Sequence, residues 1–308
     1  MSKIIQTRAF QSISLLGDIA IDLGYDAMVI AVKPEVILNC KKVTGKTSFL
    51  HLQSVNLHLE LTQSTPVIQS KISPLFRQLI DITHTLLLQH NLPYGLDITM
   101  PECELQNNSS ATMAYLVALY RSIADIKKTK LSKDELLQFC HNFLLDRKIE
   151  HNLATLTAAI NGGIVYFSKQ SSHVETLNIN DLIIYYLPQT KETAVKKAYK
   201  HIKTSKERYK DNLAQLGKLS ALGIVALNKK DYLKFGEYIN RTQKLLTDFG
   251  LVSETVHKLC IQAMLAGALG AKYCLDLNAV LLICDQKGVE IKSALMKLDL
   301  QVQDLPSV

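Results

Sequence analysis

The period of the hydrophobic pattern changes along this chain, and that change constrains the fold more than any other feature. Near the N-terminus apolar residues recur in twos. Met28, Ile30, Val32, Val36 and Leu38 do so within 27–38, and Leu50, Leu52, Val55, Leu57, Leu59 and Leu61 within 49–61. Alternation of this kind turns one face of a strand to a core, so each stretch is predicted as a strand. In the second half the repeat falls in threes and fours instead. It predicts helices over 192–215, 219–227, 231–249 and 253–269. Gly250 and Gly270 follow the last two and are suited to close them. Strands at 182–187 and 278–284 flank this helical block, a combination that predicts α+β architecture.

Local signals place further elements. Pro74 suits a first helical turn, and Leu75, Leu79, Ile82 and Leu86 follow at helical steps towards Asn91-Leu92-Pro93. A short strand at 96–99 leads to a loop at Pro101, and a helix begins after it at Ser110. Ser132 and Glu135 form a capping box for a helix running to about Arg147. Asn161-Gly162-Gly163 turns into a strand at 164–167. The polar, weakly periodic stretch 168–178 suggests a boundary, giving domains at 1–170 and 171–308.

A chain of 308 residues with 47% hydrophobic and 20% charged residues can bury two cores and is neither disordered nor fibrous. Apolar runs such as 279–284 are too short to cross a bilayer, and the first ten residues lack a signal-peptide core. Six cysteines without a C-x-x-C pair fit reduced thiols, so a cytoplasmic protein without membrane contact is expected. No H-E-x-x-H, G-x-S-x-G or dinucleotide fingerprint is present. The net charge of +7 is concentrated in 191–210, where six lysines, from Lys196 to Lys210 with Lys191 before them, and Arg208 face only Glu192 and Glu207. Such a cluster attracts polyanions or forms a solvated helix face. It carries no nucleic-acid motif, so no nucleic-acid partner is expected. His141 reads as a surface or core residue, and Glu150 with His151 as neighbours pointing to opposite faces. Met264, Leu265, Ala268 and Leu269 read as a core stripe.

Four segments carry a resemblance. Residues 100–120 read MPECELQNNSSATMAYLVALY, and their Ser-Ser-Ala before an apolar helix resembles the nucleotide loop P-x-x-x-G-L-G-S-S-A of the GHMP kinase superfamily. Residues 9–32 resemble the first motif, A-P-G-K-[VI]-x-L-x-G-E-H, with Gly17, Gly24 and Ala27 in place. GGIVYF at 162–167 resembles the strand after the catalytic aspartate, and GALGAK at 267–272 the approach to the last motif. In this order and spacing the chain is most similar to mevalonate kinases. The resemblance implies a two-domain α+β GHMP kinase fold: an N-terminal nucleotide-loop domain and a C-terminal ferredoxin-like domain. It also implies ATP and Mg2+ as cofactors, transfer of phosphate to an alcohol in isoprenoid biosynthesis, a small-molecule ligand and a homodimer.

Residue by residue, the implied chemistry is thinned. The first-motif lysine falls on Ser12, and the glutamate and histidine of G-E-H on Asp18 and Ile19, the substrate-binding positions. The catalytic aspartate falls on Thr155, which accepts no proton near neutral pH. Nucleotide-loop positions fall on Gln106, Asn107, Asn108, Ser109 and Ser110, where asparagine tolerates the positive φ that glycine would adopt. Ser109 and Ser110 equally suit a plain helix cap. Ser110 and Asp146 match the metal positions, and 275–280, LDLNAV, replaces G-A-G-G-G-G. These replacements imply a pseudokinase or a strongly altered small-molecule kinase; an active ATP-dependent mevalonate kinase is the alternative, and a polyanion-binding module a third reading.

Overall fold

The structure is a computed structural model that describes residues 3–62, 64, 72–101, 109–170, 173–177, 182–189 and 193–305. The chain opens with β1 (Ile5–Leu16), the short helix α1 (Asp18–Ile21), and the strands β2 (Ala27–Val43), β3 (Ser48–Leu52) and β4 (Leu57–Leu61). Helix α2 (Pro74–His90), strand β5 (Gly95–Met100) and helices α3 (Ser109–Lys127), α4 (Lys133–Asp146) and α5 (Leu153–Asn161) follow. Then come strands β6 (Ile164–Ser168), β7 (His173–Leu177) and β8 (Ile183–Pro188), and helices α6 (Thr193–Thr204), α7 (Lys210–Asn228), α8 (Tyr232–Asp248) and α9 (Glu254–Leu265). Strands β9 (Gly270–Cys274) and β10 (Ala279–Cys284), helix α10 (Gly288–Met296) and strand β11 (Gln303–Asp304) complete it. Contacts divide the chain into one compact unit of 1–12, 33–151 and 155–161 and another of 13–32, 152–154 and 162–308.

In the first unit, β3 pairs with β4 antiparallel and with β5 parallel, and β5 pairs antiparallel with the second half of β2. Leu50 and Leu52 of β3 and Leu96 and Ile98 of β5 turn inward to Leu79, Leu86 and Tyr115 on α2 and α3. The buried Tyr115 hydroxyl pairs with Thr83 at 2.6 Å, so the core leaves that polar group satisfied. Arg121 on α3 donates to the carbonyls of Arg8 and Ile160, at 2.7 and 2.9 Å, tying β1 and the end of α5 to that helix.

The segment 49–61 is a hairpin rather than the single expected strand. Its apolar parity shifts from even (Leu50, Leu52) to odd (Leu57, Leu59, Leu61), and the intervening 3-10 turn Gln53–Val55 closes on Asn56 at φ 46°. The expected capping box of α4 is complete, with Ser132 and Glu135, and at the start of α2 Ser73, ahead of the expected Pro74, accepts from the Phe76 amide. Gly162 and Gly163 both adopt positive φ ahead of β6.

In the second unit the first half of β2 pairs with β6, and β6 with β7, both antiparallel. A separate antiparallel sheet runs in the order β11-β8-β10-β9. Its edge strand β9 is covered by α8: Asn240 accepts from the Ala271 amide and Gln243 from the Tyr273 amide, at 2.9 and 2.7 Å. These side chains satisfy an edge that would otherwise be free to pair with another chain.

Three sequence expectations are corrected here. The helical break falls at 205–209 and not at 215–219, because Gly217 lies inside α7 and packs on the backbone of Asp26. Helix α9 stops at Leu265, with Gly267 at φ 104° behind it; Gly270 instead begins β9 and lies against Gly236. Of the expected core stripe, Ala268 is buried, but Leu265 is 83% exposed and Met264 is exposed as well. The described cysteines are all buried, and burial pushes their thiol pKa values up, Cys40 to about 11 and Cys274 to about 12. Among the described residues no helix is long and apolar enough to cross a membrane.

Candidate functional site

In the first unit the structure brings Ser12 and Ser110 together. Ser110 is the second residue of α3 and buried, and its Oγ accepts a hydrogen bond from the Ser12 amide at 2.5 Å. The two hydroxyl oxygens stand 3.4 Å apart. The expected positions of a phosphate-side cation and of a metal-side serine are therefore neighbours, and each carries a neutral hydroxyl. Ser109 is exposed at the same helix end, while Gln106, Asn107 and Asn108 lie outside the described residues.

Beside this helix end lies an open cleft of about 1020 Å3, lined by α2, the start of α3 and the segment 147–150 after α4. Arg77, Gln78 and Asp81 come from α2, Ser109 and Thr112 from α3, and Arg147 and Glu150 from the third wall. Thr112 donates to Gln78 at 2.9 Å, which holds both side chains in place. The Arg147 guanidinium lies over the Phe143 ring, 5.9 Å from its centroid. The start of a 19-residue helix carries the positive end of its dipole. With two arginines alongside, the cleft suits an anionic group, and Asp81 and Glu150 offer acceptors to hydroxyls.

In the second unit Asp18 and Ile19 begin α1. Ile19 is buried in the apolar core, so its side chain serves packing. Asp18 has positive φ, 29°, and its carboxylate pairs with the fully buried Lys272 of β9. Its second oxygen, Oδ2, is buried without a hydrogen bond. Burial raises the Asp18 pKa to about 6; Lys272 opposes that shift and Asp276 adds to it. Asp276 accepts from the Ser14 amide at 2.8 Å, and burial raises its pKa too. Where the resemblance places a glycine-rich loop, 275–278 is thus the turn between β9 and β10, with Asn278 at φ 52° accepting from the Tyr273 hydroxyl.

The remaining expected positions are dispersed. Thr155 is buried on α5, and Asp146 is exposed at the end of α4. His151 does not pair with Glu150. Its Nδ1 lies 2.8 Å from the Ile149 carbonyl and its Nε2 2.8 Å from His141 Nδ1, so with neutral rings His141 donates to His151. In the basic segment, Lys203 pairs with Asp22 at 3.4 Å. Sequence reasoning missed the cleft arginine Arg77 and the burial of Lys272; a lysine inside the apolar run GALGAKYC was the one signal for the latter.

Among the described residues no three His, Cys, Asp or Glu side chains converge as a metal centre. Ser110 is occupied by the Ser12 amide and Asp146 stands at the surface. Among the described residues the cleft suits an anionic group, and no cluster of His, Cys, Asp or Glu ligands for a magnesium ion is present.

No protein-family model and no curated protein matches this chain. Solved structures do match. The Methanococcus jannaschii mevalonate kinase superposes with a TM-score of 0.75 at 14% identity, over 100% of this chain and 99% of that one. The L. major mevalonate kinase in complex with R-mevalonate gives 0.72 at 16%, over 100% and 99%. The Streptococcus pneumoniae phosphomevalonate kinase in complex with phosphomevalonate and AMPPNP gives 0.70 at 14%, over 98% and 100%. Along its whole length, this chain has the two-domain α+β fold of the GHMP kinases.

Proposed function

We propose that this chain is a mevalonate-kinase-like protein that keeps a cleft for a nucleotide-like anion and has lost most or all phosphoryl transfer. The contact of Ser12 with Ser110 carries this reading. By the resemblance, this contact joins the first-motif lysine position, here Ser12, to the serine kept in the nucleotide loop, so that a neutral hydroxyl stands where transfer needs fixed positive charge. Phosphoryl transfer depends on positioning and on such charge. Loss of one preorganised group costs on the order of a hundred- to a thousandfold in rate. The resemblance puts the catalytic aspartate at Thr155, which is buried and accepts no proton near neutral pH.

The experiment is calorimetry with ATP and Mg2+, followed by a turnover assay with mevalonate. Binding of ATP with turnover far below the ~10 s−1 of ordinary enzymes is expected; turnover at that ordinary rate would sink the proposal.

An active, divergent kinase of isoprenoid metabolism is the second reading, favoured by the open cleft and by the acid retained at Asp18. It requires Asp146 for magnesium, so Asp146→Ala would abolish turnover. Absence of ATP binding would remove both readings.

A further inference from the structure

The cleft formed by α2, the start of α3 and 147–150 carries a net positive charge. Arg77, Arg147 and Lys148 line it against two carboxylates, Asp81 and Glu150. Neither arginine makes an ion pair with a described residue. The Phe143 ring takes one face of the Arg147 guanidinium, and the N–H groups, which lie in the plane of that group, keep their donor capacity. The dipole of α3 adds positive potential at the same end of the cleft.

The hydroxyls at this helix end are neutral and already engaged. Ser110 Oγ accepts from the Ser12 amide at 2.5 Å, and the Thr112 hydroxyl donates to Gln78 at 2.9 Å. Asp146, the acid that the resemblance gives to magnesium, is exposed at the last residue of α4 and is not among the described residues that line the cleft. Magnesium on a phosphate chain neutralises part of its charge and occupies oxygens that a guanidinium fork would otherwise bind in pairs. The ion and the arginines therefore compete for the same atoms. In a cleft that is itself positive, the form of the ligand with the larger negative charge is held better.

We infer that the cleft takes its nucleotide without magnesium, with Arg77 and Arg147 supplying the charge that the ion would bring. The ligand class is a nucleoside polyphosphate in its metal-free form. This rests on the reading of the cleft as a nucleotide site, and it departs from the metal dependence that the resemblance implies.

Calorimetry of the full chain with ATP, once in EDTA and once in excess Mg2+, tests it. ATP is expected to bind at least as tightly in EDTA as in Mg2+. Arg77→Gln and Arg147→Gln are each expected to weaken binding in EDTA by about tenfold. The loss is smaller in Mg2+, where the ion has already taken the phosphate oxygens, and a merely structural role would not produce that difference. Both positions are exposed, circular dichroism checks the fold of each variant, and the wild-type comparison needs no variant at all. Weaker binding in EDTA than in Mg2+ overturns the inference and leaves the nucleotide reading standing. Arginine variants that bind ATP as the wild type does overturn it equally. No binding in either buffer overturns the nucleotide reading itself, and this inference with it.

Discussion

Buried charge dominates at the scale of single residues. Lys272 and Asp18 are out of contact with water, so each depends on the other. Removing one partner of a buried pair costs about 3–5 kcal/mol, because the remaining charge is stranded. Asp18→Asn and Lys272→Met are each expected to lower the unfolding free energy, read by chemical denaturation, by that amount, and the double variant to recover most of the loss. The same pair has a pH signature. The folded pKa of Asp18, about 6, lies above its ordinary 3.8, so the fold favours the protonated acid. The stability from this group is full below pH 3.8 and is lost as pH rises through 6. Measured against the double variant from acid to neutral pH, the wild type should therefore lose ground as pH rises; a constant difference would refute this. Ser110→Ala leaves the buried Ser12 amide without its acceptor and should cost about 1–3 kcal/mol by chemical denaturation.

The elements were legible in the sequence where their signals are local. The box at Ser132 and Glu135 formed as read, and Ser132→Ala should cost about 0.5–2 kcal/mol in thermal unfolding. The pair β3 and β4 was misread as one strand, although the parity shift after Leu52 was visible. Helix α5 escaped notice because LATLTAAIN is buried almost throughout, and without a polar face it has no period to detect. Gly217 falls in the gap expected between helices 192–215 and 219–227 and is instead a packing site inside α7, since only its contact with Asp26 reveals why a side chain is missing there. Gly236 serves the same purpose between α8 and the strand it covers. A Cβ there would stand 2.3 Å from the Leu269 carbonyl oxygen. Gly236→Ala should accordingly destabilise by about 1–3 kcal/mol, and an unchanged melting temperature would contradict that packing.

Across the whole molecule, the fold is that of the GHMP kinases, while the residues that the resemblance puts at the positions of transfer are neutral, buried or paired. Asp146, exposed at the end of α4, should tolerate alanine within about 0.5 kcal/mol. In the leading reading Asp146→Ala also leaves ATP affinity unchanged by calorimetry, and a marked loss would favour the active-kinase reading. The order of strands and helices, their caps and the thinning of the motifs were determined by the sequence itself, because they depend on residue identity and on neighbours a few positions away. Which groups meet was decided only in three dimensions. Ser12 reaches Ser110 and Asp18 reaches Lys272 across separations of 98 and 254 residues, and both contacts owe their strength to burial. Burial is a property of the packed core, and no local stretch of sequence contains it.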